Sequence, residues 1–207
     1  TFIHTVVDRA VFLGVKGLNI DFENVPHWDR DRFTRFIQQF SQYAHKNGLQ
    51  VSIDLPRGSI SWNNKTAYDR KAIKDYVDQF IIMTYDQHYS GSKTPGSVAG
   101  IDWVNKGIQE NLSYGVPRSK LILGIPFYIR QWKLDHKGNI VSTKAFLMKD
   151  IPSLLKNKAI TKLYDPTYDQ YKIEYEEGGY TYVMWTETKN NLISRLELAQ
   201  QYHLGGV

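Results

Sequence analysis

The chain has 207 residues, 42% of them hydrophobic and 14% aromatic, which is the composition of a globular protein with one large domain or a domain with an insertion. It contains no cysteine, so a disulfide scaffold and thiolate metal sites are excluded. The net charge of +5 suits an anionic partner such as a cell-wall polymer, but the lysines and arginines are dispersed and indicate no nucleic-acid-binding patch. No apolar run approaches the length of a membrane span.

The first predicted elements are a helix that ends near Val15 and a strand over residues 17–23. Apolar and polar side chains alternate along this strand, so three polar residues share one side: Asn19, Asp21 and Glu23. Carboxylates two residues apart on a strand lie about 6–7 Å apart at the backbone, close enough to interact electrostatically. A buried or half-buried pair of this kind is costly unless it has a function. The strand therefore predicts a functional site rather than a solvated strand face.

Downstream of this strand, the pattern predicts a parallel sheet with helical connections. A long helix, entered after Asp29, ends at Asn47 and Gly48. Strands and helices then alternate in this order: strand 49–55, a short helix over 67–76, strand 79–85, a helix beginning near Asp102 and strand 120–128. The last of these strands is almost entirely apolar, so we expect both of its faces to be buried. Such alternation is typical of parallel α/β folds.

The alternation breaks off after residue 128. Lysine and tyrosine become frequent, and two stretches, 135–139 and 174–179, have the composition of hairpin turns. We interpret residues 129–185 as a small α+β insertion. Helical spacing returns over 188–202, and residues 204–207 look like the start of one more strand.

Functional groups in parallel α/β folds collect at the carboxyl ends of the strands. At four predicted strand ends the chain carries acids, tyrosines and arginines: Asp21, Glu23, Asp54, Arg57, Tyr85, Asp86, Tyr128 and Arg130. Together they predict a pocket for a polar, neutral ligand. For Tyr85 and Asp86 alone, a tyrosine packed at the rim and an aspartate that caps the next segment are an equally good interpretation.

Three short motifs resemble those of family 18 glycoside hydrolases, the chitinase family. Residues 17–23, Gly-Leu-Asn-Ile-Asp-Phe-Glu, resemble the family's Asp-x-x-Asp-x-Asp-x-Glu motif on the fourth strand of a (β/α)8 barrel. Residues 83–86, Met-Thr-Tyr-Asp, resemble its sixth-strand Met-x-Tyr-Asp, and residues 124–130 resemble its seventh-strand Gly-x-Pro-Phe-Tyr-Gly-Arg. The surrounding sequence is most similar to the bacterial spore-germination and cell-wall-lytic branch.

The chain departs from these motifs at three positions. Lys16 and Asn19 stand where the first motif has its two outer aspartates, and Ile129 stands where the third has glycine. The last two acids of the first motif are present as Asp21 and Glu23. Because asparagine cannot ionise, Asn19 can only orient Asp21 through hydrogen bonds, and the movement of charge along the motif should differ from that in a chitinase with two aspartates.

The resemblance implies an α/β fold, the (β/α)8 TIM barrel. In its register the chain carries the barrel from about strand 4 to the start of strand 8, with a small α+β insertion after strand 7. Residues 1–128 and 186–207 would form the partial barrel, and residues 129–185 the insertion. Strands 1 to 3 and the tryptophan that usually floors the sugar site on strand 8 would lie outside these residues.

The resemblance also implies a glycosidase that cleaves β-1,4 bonds next to N-acetylglucosamine, in bacterial cell-wall or spore-cortex peptidoglycan or in chitin-type polymers. The mechanism would be retaining and substrate-assisted, with the 2-acetamido group of the sugar as nucleophile. Glu23 would be the general acid and base, Asp21 would orient the acetamido nitrogen, and Tyr85 would hydrogen-bond the acetamido oxygen. The other predicted substrate-binding residues are Asn19, Met83, Asp86, Gln87, Tyr128, Arg130 and Trp62.

The same resemblance implies no cofactor and an extracellular location, in the cell wall or spore envelope of a bacterium. Trp62, in a loop rich in Pro, Gly and Ser, is the best of four aromatic residues that could stack on sugars, the others being Trp28, Tyr89 and Trp132. For each of them alone, packing at the rim is the more common role. The main alternative is a lectin-like member of the same fold with weak or no activity, although such a binder has no need of Glu23. A metal-dependent hydrolase is a third class, but the six histidines show no ligand spacing.

Overall fold

The computed structural model describes residues 2–57 and 66–207. It divides into two compact units. The first contains the described residues up to 83, residues 106–124 and residues 199–207, and the second contains residues 84–105 and 125–198. None of the described helices is both long enough and apolar enough to cross a membrane.

The described part of the first unit is built on a parallel sheet. Its elements are, in chain order, helix α1 (Phe2–Phe12), strand β1 (Gly17–Ile20), helix α2 (Arg30–Lys46), strand β2 (Gln50–Pro56), helix α3 (Arg70–Ile73), strand β3 (Gln79–Met83) and strand β4 (Leu121–Gly124). The strands lie in the order β1-β2-β3-β4, and each neighbouring pair is parallel. Helix α4 (Ile101–Ser113) follows β3 in the chain and has residues in both units. The predicted parallel sheet is confirmed.

One face of this sheet forms the core of the first unit. Alternate strand residues point to it and are almost fully buried: Ile20, Val51, Ile53, Leu55, Phe80, Ile82, Leu121 and Leu123. Helix α2 contributes an apolar stripe of Phe33, Ile37, Phe40 and Ala44. Each large apolar side chain stabilises the fold by about 1.5–3 kcal/mol when it leaves water. The residues that point to the opposite face are half-buried or exposed; they are polar on β1 and β2 (Asn19, Ser52 and Asp54) and apolar on β3 and β4 (Ile81, Met83 and Ile122).

Three predicted strands are shorter in the structure. Strand β1 ends at Ile20, where its pairing with β2 ends, and Asn24 turns the chain shortly afterwards with a φ of 57°. Strand β3 ends at Met83. Strand β4 ends at Gly124, two residues before Pro126, which has no N–H for a sheet hydrogen bond. Buried and half-buried residues alternate along β4, so the prediction that both of its faces are buried is wrong.

The described part of the second unit is built on an antiparallel sheet. Its elements are strand β5 (Tyr128–Leu134), strand β6 (Ile140–Leu147), helix α5 (Ile151–Leu155), strand β7 (Thr161–Asp165), strand β8 (Gln170–Glu177), strand β9 (Tyr180–Thr186) and most of helix α6 (Lys189–Gln201). The strands lie in the order β6-β5-β9-β8-β7. The predicted hairpin turn at residues 135–139 is confirmed, since it joins β5 to β6. The second hairpin is also present, but residues 174–177 belong to β8 and only residues 178–179 form the turn to β9. The predicted domain boundaries stay a prediction.

The last residues of the chain pair with β4 at a single point. Gly206 forms an isolated parallel bridge with Ile122, and the Leu123 N–H donates to the Gly206 carbonyl at 3.0 Å. A Cβ atom at Gly205 would lie 2.2 Å from the Ser119 carbonyl oxygen, so glycine is required for this close approach. The predicted additional strand is therefore present as one bridge.

Candidate active site

The two acids of the first motif lie immediately beyond the carboxyl end of β1. Asp21 is the first residue after the strand, and Glu23 follows two residues later. Between them, Phe22 is held by both its side chain and its backbone. Its ring stacks on Phe36 with centroids 5.6 Å apart, and its carbonyl oxygen accepts a hydrogen bond from the Tyr68 hydroxyl at 2.7 Å. These contacts fix the short segment that presents the two carboxylates.

Both of these carboxylates are exposed in the described chain. The expectation of a buried or half-buried pair is wrong, because β1 stops at Ile20 and neither acid lies within the sheet. Their charges nevertheless act on a neighbour. Burial raises the pKa of the Tyr68 phenol, and the negative charges of Glu23 and Asp21 raise it further.

A hydrogen-bonded row of polar side chains joins β1 to β2. Asn19 Nδ2 donates to Asp54 Oδ2 at 2.9 Å, and Asn19 Oδ1 accepts from the Ser52 hydroxyl at 2.7 Å. The other carboxylate oxygen, Asp54 Oδ1, is buried and has no hydrogen-bond partner among the described residues. Burial raises the pKa of Asp54, the hydrogen bond from Asn19 lowers it, and the charge of Asp21 raises it.

Asp54 is absent from the residues predicted to act in catalysis or to bind substrate. The sequence places it at a strand end, but only the register of the sheet, in which Asn19 pairs with Ser52, brings it to the first motif. The available signal is the alternation along β2, which puts Ser52 and Asp54 on the same side of the strand. Asn19 does form hydrogen bonds, as expected, but the partners seen in the structure are Ser52 and Asp54 rather than Asp21.

In the second unit, Tyr85, Asp86 and Tyr128 lie together. The Tyr128 hydroxyl donates a hydrogen bond to Asp86 Oδ1, and the rings of Tyr85 and Tyr128 meet edge to face with centroids 6.1 Å apart. Burial raises the pKa of Tyr128, and the hydrogen bond to Asp86 raises it further, so this phenol is a neutral donor. Asp86 has a φ of 55°, a left-handed conformation that aspartate tolerates better than most residues.

Two further predicted substrate-binding residues have partners within the second unit. Gln87 closes a loop, since its N–H donates to the Val98 carbonyl at 2.9 Å and its Oε1 accepts from the Gly100 N–H at 2.8 Å. Arg130 Nη1 donates to Thr143 Oγ1 at 2.9 Å across the β5–β6 pair. These contacts orient both side chains, and their binding of substrate stays a prediction.

The four aromatic residues that could stack on sugars differ in exposure. Trp62 lies outside the described residues. Trp132 is fully buried, and its indole N–H donates to the Gly96 carbonyl at 3.0 Å, so it packs in the core and is not available to stack on a sugar. Trp28 and Tyr89 are 74% and 54% exposed, respectively.

The family of the chain follows from these features together with its sequence. The parallel sheet carries two acids beyond the end of β1, and the motifs at residues 83–86 and 124–130 lead into the tyrosine and aspartate cluster of the second unit. The model of glycosyl hydrolases family 18 matches residues 1–207. The chain therefore belongs to glycosyl hydrolases family 18, as its motifs predicted.

Several relatives resemble the chain over nearly all of its length. It is 30% identical over 208 residues to an uncharacterized glycosylase of Bacillus subtilis, and the alignment covers 97% of this chain and 59% of that protein. It is 27% identical over 210 residues to a cortical fragment-lytic enzyme of Bacillus anthracis, and the alignment covers 100% of this chain and 48% of that protein. The crystal structure of a chitinase from Chromobacterium violaceum superposes with a TM-score of 0.88 at 28% identity, covering 99% of this chain and 63% of that chain.

The chain thus spans about half to three-fifths of the length of these curated relatives. Membership of the family and the likeness to the chitinase structure give the chain an α/β fold of the TIM-barrel type.

Proposed function

We propose that the protein is a glycoside hydrolase that cleaves β-1,4 bonds next to N-acetylglucosamine. The observation that carries this proposal is the pair of exposed carboxylates, Asp21 and Glu23, directly beyond the carboxyl end of β1 in a chain of glycosyl hydrolases family 18. Enzymes with a barrel of this type collect their catalytic groups at that end of the strands.

The same proposal assigns the described strands to positions in the family's barrel. Strands β1 to β4 correspond to strands 4 to 7, and the antiparallel sheet corresponds to the small α+β insertion after strand 7. The parallel pairing in the order β1-β2-β3-β4 supports this assignment. The bridge between Gly206 and β4 then corresponds to the start of strand 8.

The spacing of the two acids favours a retaining, substrate-assisted mechanism. Asp21 and Glu23 follow the same strand two residues apart, whereas retaining enzymes with a carboxylate nucleophile hold their two carboxyl groups on opposite sides of the bond, about 5–5.5 Å apart. In the proposed first step, Glu23 donates its proton to the glycosidic oxygen while the acetamido oxygen of the sugar attacks the anomeric carbon. The C1–O bond breaks, the leaving sugar departs and an oxazolinium ion remains.

In the second step, Glu23 acts as general base. It takes a proton from water, and the water oxygen attacks the anomeric carbon and reopens the oxazolinium ring. Two inversions at this carbon retain its configuration. Asp21 accepts a hydrogen bond from the acetamido N–H and offsets the positive charge of the ring, and Tyr85 donates to the acetamido oxygen.

The remaining roles concern the binding of the sugar. Tyr128 donates to one oxygen of Asp86, which leaves the other oxygen of this carboxylate for a sugar hydroxyl. The other side chains proposed to contact the polymer are Asn19, Met83, Gln87, Arg130 and Trp62.

The proposed substrate is peptidoglycan of the bacterial cell wall or spore cortex, with chitin-type polymers as the second possibility. The relative from Bacillus anthracis is named a cortical fragment-lytic enzyme, and the net charge of +5 suits the anionic polymers of a bacterial wall. The proposed location is accordingly extracellular, in the cell wall or spore envelope.

Replacement of the proposed general acid tests this function. Glu23→Gln in the full-length protein should abolish cleavage of peptidoglycan and of N-acetylglucosamine oligomers, while binding of the oligomers persists. Glu176→Gln, an exposed glutamate of β8, is the matched control and should keep wild-type rates. Mass spectrometry of the products identifies the bond that is cut and the polymer that is preferred. Cleavage by Glu23→Gln at the wild-type rate would contradict the proposal.

A carbohydrate-binding protein without activity is the second candidate. The observation that favours it is the loss of two motif acids, since Lys16 and Asn19 replace aspartates of the family pattern. Calorimetry of oligomer binding in parallel with a turnover assay separates the two candidates. Binding without any turnover by the wild-type protein would establish the second.

A further inference from the structure

The net charge of the chain is concentrated in one stretch of the second unit. Residues 131–163 contain seven lysines, no arginine and two aspartates, which gives this stretch a charge of +5. Of the 26 lysines and arginines and the 21 acids in the chain, 19 of each then remain, so the other residues are neutral in sum. The stretch spans most of β5, all of β6 and α5, and the start of β7. Uneven charge of this kind indicates a partner of opposite charge.

The pairing of the strands places four of these lysines on one face of the antiparallel sheet. Residues that pair directly across strands share a face, and one row of such pairs crosses all five strands: Lys144, Gln131, Met184, Ile173 and Lys162. In the next row Lys133 pairs with Tyr182, which pairs with Tyr175. The Lys158 ammonium lies over the Tyr175 ring, 4.6 Å from its centroid. None of the seven lysines is adjacent to another in the chain, so the sheet brings them together.

Helix α5 covers the centre of the same face. Its residue Ile151 belongs to one apolar cluster with Ile173 and Met184 of the sheet. Lys149 and Lys156, which flank this helix, are exposed. We call this side of the second unit the lysine face, and its six lysines are Lys133, Lys144, Lys149, Lys156, Lys158 and Lys162.

Most of the charge on the lysine face is not neutralised by neighbouring acids. Lys158 pairs with Glu177 at 2.6 Å, and Asp150 precedes α5. Three of the lysines form no ion pair with any described residue: Lys133, Lys144 and Lys162. Lys144 and Lys162 are exposed and Lys133 is half-buried, so their ammonium groups can meet a partner from solution.

Aromatic rings keep these three ammonium groups in place. Each lies over a ring: Lys133 3.7 Å from the centroid of Tyr180, Lys144 4.9 Å from that of Phe146 and Lys162 4.4 Å from that of Tyr171. A ring attracts a cation through its quadrupole but has no net charge, so the lysines are held without being neutralised. Side chains that are ordered before binding lose less conformational entropy when a partner arrives.

We propose that the lysine face is an interaction surface for an anionic glycan, namely the carboxylate-bearing peptidoglycan of the bacterial wall or spore cortex. Lysine is a compact point charge that suits single carboxylates, whereas arginine, with its fork of donors, is the usual choice for nucleic-acid phosphates and is absent from residues 131–163. The inference rests on the proposed function, because that function supplies the polymer.

Contacts on the lysine face would be additional to those proposed for the sugar. Side chains alternate along β5, so Lys133 lies on the side of the strand opposite to the one that bears Arg130. The surface would therefore bind charged groups of the polymer without using the residues proposed to bind the sugar in the second unit, and its contribution should be lost at high salt.

The test compares two triple variants whose net charge falls by the same amount. One removes three unpaired lysines of the lysine face, Lys133→Gln, Lys144→Gln and Lys162→Gln, and the other removes three exposed lysines elsewhere, Lys46→Gln, Lys71→Gln and Lys189→Gln. All the full-length proteins, including the reference, carry Glu23→Gln so that the polymer stays uncut. We expect the first variant to bind purified peptidoglycan about tenfold more weakly than the reference at about 0.05 M NaCl, and the second to differ by less than about twofold.

Two further ligands define what the surface recognises. Affinity for a neutral N-acetylglucosamine oligomer should change by less than about twofold in both variants, because this ligand has no charge to lose. Amidation of the carboxyl groups of peptidoglycan should remove the difference between the first variant and the reference. Circular dichroism spectra and melting temperatures show that the variants are folded.

Each outcome decides the inference. Equal weakening by both triple variants would mean that net charge acts without a defined surface, and binding by the first variant at the reference affinity would mean that the lysine face has no part; either result overturns it. If the first variant loses binding to phosphatidylglycerol vesicles while its binding to peptidoglycan is unchanged, the face is a membrane surface instead. Turnover is measured separately with Glu23 intact, and its absence would refute the proposed function, so the two failures are distinguishable.

Discussion

The hydrogen bond from Tyr128 to Asp86 joins two segments of the second unit that are 42 residues apart in the chain. Burial of the phenol and the neighbouring carboxylate both oppose ionisation of the tyrosine, so Tyr128 remains a donor and Asp86 an acceptor. The left-handed backbone of Asp86 adds a geometric constraint, since few residues other than glycine, asparagine and aspartate adopt it readily. Two residues thus specify the position of one carboxylate that is proposed to bind sugar.

Tyr128→Phe removes this donor without changing the ring. We expect kcat/KM to fall by about tenfold or more, because a hydrogen bond to a charged group contributes about 1.5–3 kcal/mol. Initial rates on an N-acetylglucosamine oligomer provide the measurement. Tyr164→Phe, at a side chain of β7 that is 52% exposed and donates to Asp169, is the matched control and should change the rate by less than about twofold. Equal rates for wild type and Tyr128→Phe would contradict the role of this pair.

The raised pKa of Tyr128 also predicts how stability depends on pH. The pKa in the folded protein lies above the ordinary value of 10, so the stability linked to the neutral phenol is present below pH 10 and is lost as the pH rises further. The free energy of unfolding of the wild type should therefore fall relative to that of Tyr128→Phe above pH 10. Urea unfolding of both proteins at pH values below and above 10 measures the difference, and a constant difference would refute it.

At the scale of elements, the short helix α3 and the segment before it support the end of β1. Arg70 is fully buried and donates to the Tyr68 carbonyl at 3.3 Å and to Asn111 Oδ1 at 2.9 Å. Burial lowers the pKa of this guanidinium to about 10, which still leaves it charged at neutral pH. Tyr68 in turn donates to the Phe22 carbonyl, so a buried cation is connected through one tyrosine to the segment that carries the two acids.

In the second unit, Trp132 is a fully buried residue of strand β5, and its side chain packs in the core of the antiparallel sheet. Trp132→Phe leaves a cavity and removes the N–H that satisfies the Gly96 carbonyl, so we expect a loss of about 2–4 kcal/mol in the free energy of unfolding. Trp28→Phe makes the same change at a side chain that is 74% exposed and should cost less than about 0.5 kcal/mol. Urea unfolding followed by circular dichroism compares the two variants. Equal stability of both would show that Trp132 is not a core residue.

At the scale of the whole molecule, the net charge affects which polymers the protein associates with, and it says little about the fold. A net charge of +5 favours association with anionic polymers, and this attraction weakens as salt screens it. A neutral oligosaccharide provides the comparison, because its binding depends on contacts in the site rather than on the total charge.

The predicted consequence is a difference in salt dependence. Raising NaCl from about 0.05 to about 0.5 M shortens the screening length severalfold, so KM for peptidoglycan should rise severalfold while KM for a neutral N-acetylglucosamine oligomer changes little. Turnover assays on the two substrates at each salt concentration provide the measurement. The same salt dependence for both substrates would indicate that net charge has no part in selecting the polymer.

The sequence by itself determined the class of fold, the order of the elements of the parallel sheet and, through three motifs, the family. Periodicity alone separates the strands from the helices, because side chains on a strand repeat every two residues and those on a helix about every 3.6. The acids after β1 and the motif that contains Tyr85 and Asp86 were recognisable for the same reason, since each follows a run of strand-forming residues.

Only the tertiary structure decided where the strands end, which residues are exposed and which side chains meet across strands. Strand ends depend on the hydrogen bonds of the neighbouring strand, which explains why β1 stops at Ile20 and leaves Asp21 and Glu23 exposed. Sheet register is a property of two segments far apart in the chain, so the contact of Asn19 with Asp54 cannot be read from either segment alone. Burial of Trp132 likewise results from packing within the second unit, which local sequence does not encode.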